Sequence, residues 1–138
     1  VIKPFSGSFA EEKNYARTLV PKECTWILWT DADERFDTKF LKDMKTYIHD
    51  NPYAIFRFPR CNLPDGKDFP DYQIRLFQNS RDIEWRGSIH EIPYYIPENI
   101  PLDVMDNDKR DNVIPIETLD DFPIIHLQRR TDEKRSWW

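Results

Sequence analysis

The chain opens on a polar, irregular stretch, Pro4 with Ser6, Gly7 and Ser8, and then becomes amphipathic. Ser8 is placed to cap a helix starting around Ala10, with Glu11 and Glu12 in the first turn where the helix dipole favours acids. Phe9, Tyr15, Ala16 and Leu19 would form its apolar side, and Pro21 ends it. Residues 25–30 read TWILWT, a short unbroken apolar run rich in β formers. Continuous rather than alternating hydrophobicity predicts a strand covered on both faces, as in a parallel α/β sheet. The run stops abruptly at Asp31-Ala32-Asp33-Glu34. Asp37-Thr38 then caps a second helix with Phe40, Leu41, Met44, Tyr47 and Ile48 at helical spacing, stopped by Asn51-Pro52.

The remainder reads as strands. Residues 53–58 and 72–78 are candidates, separated by the turn Pro64-Asp65-Gly66. Residues 83–96 predict one bent strand or a hairpin, with Gly87 permitting close approach. From 97 to 121 the chain carries Pro97, Pro101 and Pro115 and the acidic run Asp103, Asp106, Asp108 and Asp111, which predicts a solvated loop. Residues 123–127 form a last short strand, and Thr131 caps a helix running to the chain end. The expected class is α/β, a mixed sheet with flanking helices.

Composition narrows the function classes. The 138 residues suffice for one domain and not two. Twenty Lys and Arg against 25 Asp and Glu leave a net charge of −5, which argues against nucleic acid as a partner because phosphate neutralisation needs a basic excess. Aromatics at 14% can build a core, so the chain is not disordered by composition. No apolar run approaches the roughly 20 residues of a membrane span. Cys24 and Cys61 make no disulfide framework; as two free thiols they point to a reducing, cytoplasmic location, at most peripheral at the inner face of a membrane. The start at Val1, already in a loop, suggests a fragment.

The strongest chemical signal is the acidic cluster ending the apolar strand. In open α/β sheets, ligands sit beyond the carboxyl ends of the strands. Asp31 and Asp33, two residues apart, would point the same way in extended geometry. Carboxylates gathered there repel one another unless a cation or donors neutralise them, and Mg²⁺ or Mn²⁺ bridging to a diphosphate is the usual answer. One Asp capping the next helix is the plainer alternative. An EF-hand loop from Asp31 fails, because its sixth and twelfth positions hold Phe36 and Lys42 rather than Gly and Glu. A phosphohydrolase with Asp31 as nucleophile would continue with Gly-Thr, whereas Arg35 and Phe36 follow.

Phe9-Ala10-Glu11-Glu12-Lys13-Asn14-Tyr15-Ala16 followed by TWILWTDADE resembles the middle of family 2 glycosyltransferases, which share the GT-A fold. Phe56-Arg57-Phe58-Pro59-Arg60, Tyr72-Gln73-Ile74-Arg75-Leu76-Phe77 and Gly87-Ser88-Ile89-His90-Glu91 are similar in order and spacing to its lipopolysaccharide-core glucosyltransferase branch. The resemblance runs from about Phe5 to about His126. Lys13 stands where Arg is usual, Thr30 where an apolar residue is common, and Thr25 where Asp often precedes the Trp. Family members begin with a nucleotide-binding strand-helix-strand unit that these 138 residues lack, so residues 1–138 are expected to be one domain, the C-terminal catalytic half of a longer enzyme.

The resemblance implies a partial GT-A fold and a metal-dependent, inverting transfer from a nucleotide-diphosphate sugar to a glycan, lipid-linked or protein hydroxyl, with Mn²⁺ or Mg²⁺ as cofactor. Asp31 would face the donor ribose or lie near the metal, and Asp33 would bind the metal. Glu91 would be the general base, with a solvated carboxylate, or one paired to Arg75 or Arg86, as the structural alternative. His90 would orient its neighbour. His126, at a strand end before Arg129 and Arg130, would be a further metal ligand, whereas His49 near a helix end reads as a surface residue. Lys13, Arg57, Arg60 and Arg75 are candidate diphosphate or acceptor contacts. Trp29, Trp85 and Tyr94 are candidate sugar platforms, although such aromatics also build cores. A non-catalytic carbohydrate- or partner-binding module and a metal-dependent phosphohydrolase are the alternatives.

Overall fold

A computed structural model describes residues 3–49, 55–67, 69–79, 82–88, 90–102, 114 and 116–127. The helix expected from Thr131, the acidic run 103–111, Asn51-Pro52, Ile89, and Arg129 with Arg130 lie outside the described residues.

The first helix, α1 (Phe9–Thr18), starts at its expected cap: the Ser8 hydroxyl accepts the Glu11 N–H at 3.3 Å. Its buried face is not the expected one. Ala10 is buried, whereas Phe9, Tyr15 and Leu19 are exposed. The reason is what the helix lies on. The Asn14 side chain donates to the Trp85 carbonyl and accepts from the Trp85 N–H, both at 2.8 Å, and the Phe9 N–H reaches the Ser88 carbonyl at 3.2 Å. Clipped to a strand by Asn14, α1 needs a small residue rather than a large one at the contact. The second helix, α2 (Thr38–His49), is capped by Asp37, whose carboxylate accepts the Phe40 N–H at 3.1 Å. Phe40 is fully buried, with Met44, Tyr47 and Ile48 packing beside it, while Leu41 faces solvent.

The main sheet joins β1 (Trp26–Leu28), β4 (Asp71–Gln78), β3 (Ile55–Leu63), β9 (Ile124–Leu127) and β2 (Glu34–Arg35) in that order, with β8 (Ile116–Thr118) also on β3. The sheet is mixed, and with the two flanking helices the chain is α/β. β1 is not a parallel strand, as its continuous hydrophobicity suggested. Among the described residues it pairs with β4 alone, antiparallel, Ile27 opposite Phe77. The parallel pairings are those of β8 and β9 with β3: Arg57 is opposite Thr118, and Asn62 opposite His126. β3 runs five residues beyond its expected end at Phe58, because its far half is the partner on which β9 lies.

Residues 83–95 resolve into a hairpin, β5 (Ile83–Arg86) antiparallel to β6 (Ile92–Tyr95), and β7 (Ile100–Pro101) adds a third strand. Gly87 at the bend has φ +104°, in the left-handed region that favours glycine. The expected solvated loop is thus corrected at both ends: β7 and β8 are strands, and Leu102 is fully buried.

Two apolar clusters cover the two faces of the sheet. Ile27, Ile55, Ile74 and Phe77 pack with Ala10, Ile83, Trp85 and Leu102; Phe56, Phe58, Leu76 and Ile124 pack with Phe40 of α2. Alternation along β3, Ile55 to one cluster and Phe56 to the other, explains why the strands read as continuously apolar. Cys24 is exposed and Cys61 half-buried, both as free thiols. No helix among the described residues is long and apolar enough to cross a membrane.

Candidate functional site

The site forms where β1 ends. The Trp29 N–H still pairs with the Arg75 carbonyl at 2.7 Å, and then the chain turns back on itself, Glu34 N–H to Asp31 carbonyl at 3.1 Å. Residues 31–33 are therefore a turn, not the extended geometry that would aim Asp31 and Asp33 together. Glu34 causes the reversal. Its side chain is buried, accepts the Asp31 N–H at 3.2 Å, and is held by Arg75, with Nε to Oε2 at 2.9 Å and Nη2 to Oε1 at 2.7 Å. The turn feeds β2, whose Glu34 lies opposite His126 on β9.

Asp31 and Asp33 thus sit side by side with different partners. Asp31 accepts from Trp29 Nε1 at 3.1 Å and from Arg75 Nη2 at 3.3 Å, with Lys13 Nζ at 3.8 Å. Asp33, half exposed, has Oδ2 at 3.1 Å from His126 Nε2. The structure thereby brings together Asp33 and His126, 93 residues apart.

A polar chain supports this pair from behind. Arg60 reaches Glu34 Oε1 at 3.2 Å and clasps Asp71 Oδ2 from Nε at 3.0 Å and Nη2 at 2.7 Å. Asn62 Nδ2 donates to the same Asp71 oxygen at 3.3 Å, and Asn62 Oδ1 lies 2.7 Å from His126 Nδ1. An ionised Asp71 only accepts, so Asn62 turns its amide N–H to Asp71 and its carbonyl to His126. His126 Nδ1 must then carry a proton and donate. That leaves Nε2 facing the Asp33 carboxylate, and the two attract only through positive charge, a second imidazole proton or a shared cation.

Burial alone would raise the carboxyls of Asp31, Glu34 and Asp71. The guanidinium of Arg75 beside the first two, joined by Lys13 at Asp31, and that of Arg60 beside the third outweigh it and hold all three below their ordinary values. Burial would likewise lower Arg75, but the Glu34 hydrogen bonds and charge raise it instead.

In front of this network lies a cleft of about 870 Å³, lined by Lys13, Asp31, Asp33, Arg60, Asp71 and His126 on its charged side and by Phe9, Pro70, Tyr72, Trp85, Ile92 and Pro93 on its apolar side, with Arg75, His90 and Glu91 between. Glu91 is paired neither to Arg75 nor to Arg86 by hydrogen bond: its Oε1 lies 2.6 Å from Lys13 Nζ, while Arg86 holds Glu84 and Asn99. His90, at the turn into β6, has φ +56°.

Other expected contacts lie elsewhere. Arg57 bonds Thr118 Oγ1 at 2.6 Å and covers the Tyr72 ring, and it does not line the cleft. Arg75 lines it, but with its donors committed to Glu34, Asp31 and the Ile74 carbonyl. Trp85 is 3% exposed and packed between Trp29 and Phe77, so it is core rather than an open sugar platform; Tyr94 lies under Arg86. His49 is exposed at the end of α2. The roles of Glu34, Asn62 and Asp71 were not read from sequence. Glu34's place directly behind Asp31 and Asp33 was a local signal. Asn62 and Asp71 gave none.

Among the described residues no three His, Cys, Asp or Glu converge as a complete metal cage. The donor pair present, one carboxylate oxygen and one imidazole nitrogen, suits a first-row divalent ion such as Mn²⁺ better than Mg²⁺. Adjacent corners of the octahedron around Mg²⁺ are about 3 Å apart, and such ions keep their remaining corners for phosphate oxygens and water; Asp33 Oδ2 and His126 Nε2 stand at 3.1 Å. No family model matches the chain, and no curated protein matches it.

Proposed function

We propose that this protein is the catalytic part of a metal-dependent, inverting glycosyltransferase of GT-A type, moving a sugar from a nucleotide-diphosphate donor to a hydroxyl on a glycan, lipid-linked or protein acceptor. The observation that carries this is the Asp33–His126 pair, an oxygen and a nitrogen 3.1 Å apart that attract only through positive charge, facing a cleft that also holds Glu91. Asp33 and His126 would hold Mn²⁺ or Mg²⁺, and the chemistry such an ion supplies is neutralisation of the charge developing on the departing diphosphate. Asn62 keeps the His126 ring turned to Asp33. Asp31, fixed by Arg75 and Trp29, is oriented to accept a donor hydroxyl. Glu91 accepts the acceptor hydroxyl proton as that oxygen attacks the anomeric carbon. The bond to the diphosphate breaks on the opposite face, the electron pair leaves with it, and the configuration inverts. A cleft of about 870 Å³ is of the size that small-molecule and cofactor sites occupy.

The test is a panel of nucleotide-sugars with Mn²⁺ and hydroxyl acceptors, run beside a phosphate ester. Acceptor-dependent release of nucleoside diphosphate, with the ester untouched, supports the transferase. Ester hydrolysis alone identifies a phosphohydrolase. Metal-independent sugar binding with neither reaction identifies a binding module.

A further inference from the structure

Lys13 occupies a position that the transferase mechanism leaves unused. Its ammonium is 2.6 Å from Glu91 Oε1 and 3.8 Å from Asp31 Oδ1, and it lies over the rings of Trp29 at 5.2 Å and Trp85 at 5.8 Å. The side chains of Lys13 and Glu91 are only 12% and 18% exposed, so the pair is poorly screened by water. α1 cannot drift to loosen it, because Asn14 and Phe9 pin the helix to β5 and Ser88. In this arrangement the Lys13 ammonium occupies Oε1, one of the two Glu91 oxygens that could take a proton.

The cleft's other lysine and arginine side chains among the described residues are committed. Arg75 and Arg60 are spread over Glu34, Asp31 and Asp71 by paired hydrogen bonds that a ligand would have to break. Lys13, a point charge on a flexible stem with one close ion pair, is the easiest to redirect. We propose that Lys13 is a positioning residue that holds Glu91 in check until a diphosphate enters the cleft, and that movement of its ammonium from Glu91 to the diphosphate frees the base. This rests on the transferase assignment, and it orders the reaction: the donor binds first, and Glu91 removes no proton from water or acceptor before it does.

The rings under Lys13 supply the readout. Inorganic pyrophosphate with Mg²⁺ is titrated into the protein while tryptophan emission is followed, with calorimetry in parallel. In the unsubstituted protein, emission changes saturably as the ammonium leaves Trp29 and Trp85, and Trp29→Phe diminishes the signal. Lys13→Met abolishes the emission change and weakens pyrophosphate binding by roughly tenfold, the scale of one charged hydrogen bond. Glu91→Gln strengthens binding severalfold, because Lys13 no longer has to be drawn from a carboxylate, and the gain disappears when Lys13→Met is added; a gain that persists without Lys13 comes from lost carboxylate repulsion alone and counts against the Lys13 role. Should Lys13→Met fold poorly, Lys13→Gln and the Glu91→Gln gain decide the matter. Pyrophosphate binding that is indifferent to Lys13, or equal or weaker in Glu91→Gln, overturns the Lys13 role and leaves the transferase assignment standing. No pyrophosphate binding in any form overturns both.

Discussion

Arg75 clasps the buried Glu34 carboxylate with two hydrogen bonds, 2.9 Å from Nε and 2.7 Å from Nη2, across 41 residues of sequence. Through Asp31 on one side and Arg60 on the other, this pair ties the end of β1 to β4, β3 and β2. It makes the turn at Asp31 and Asp33 a consequence of burying a charge.

Removing one partner strands the other charge in a dry setting. Glu34→Gln or Arg75→Met is expected to destabilise the protein by about 3–5 kcal/mol, whereas the Glu34→Leu, Arg75→Met double variant, apolar at both positions, recovers part of the loss. Urea unfolding measures this, and a double variant whose loss equals the sum of the two single losses would show that the pair is not coupled.

Acid should unfold the protein through the same residues. Asp31, Glu34 and Asp71 titrate below their ordinary values in the fold, so between the folded and the ordinary range the unfolded chain binds protons that the native state does not. Their contribution is complete above the ordinary carboxylate range, roughly pH 4, and is lost as pH falls through the lower folded values. The melting temperature should therefore drop steeply below about pH 4, and the Glu34→Leu, Arg75→Met double variant should show a shallower slope. An identical slope would place the acid sensitivity elsewhere.

Metal binding should depend on both ends of the chain. Asp33→Ala and His126→Ala are each expected to abolish Mn²⁺ binding; Asp33→Ala should leave the melting temperature little changed, since its side chain is 51% exposed, whereas loss of the His126 ring, 17% exposed and bonded to Asn62, should lower it. Asn62→Leu, which frees the His126 ring, should weaken it by about 10–100-fold, the usual effect of losing an outer hydrogen bond to a metal-ligating histidine. Unchanged calorimetric affinity in Asp33→Ala would remove the metal from this pair.

Glu91→Gln is expected to lower turnover on the order of 10²–10⁴-fold, the range for a general base. Survival of turnover within severalfold would make Glu91 a structural partner of Lys13 only.

Asn14 should matter to stability more than its place on a helix suggests. Asn14→Ala leaves the N–H and carbonyl of buried Trp85 without their partner, at a cost of about 1–3 kcal/mol for each stranded group. Asn14→Asp keeps the acceptor but sets a carboxylate oxygen against the Trp85 carbonyl, so it should be no milder than Asn14→Ala. A thermal melt that does not move would refute the clip.

Local physics made part of this molecule legible from its residues alone. Ser8 and Asp37 cap helices because a cap needs only a side-chain oxygen and the next turn of chain. The turn at Gly66 was legible in Pro64-Asp65-Gly66, and a bend or hairpin at Gly87 in a residue that permits close approach; in the structure both glycines take positive φ. The acidic end of β1 stood out because carboxylates after a buried strand carry a cost that something must offset. Tertiary structure decided everything that depends on which distant segments meet. Apolar runs look alike whether a strand is parallel or antiparallel, so β1 took β4 as its partner without any sign in its own residues. The inward face of α1 was set by Asn14 finding the Trp85 backbone, and not by where its large side chains fall. Asp31 and Asp33 were parted by Glu34 finding Arg75, and the base candidate Glu91 met Lys13 rather than an arginine. Hydrogen bonds and ion pairs of this kind are specified by geometry at a few ångströms, and separations of 41, 71 and 93 residues carry no trace of it along the chain.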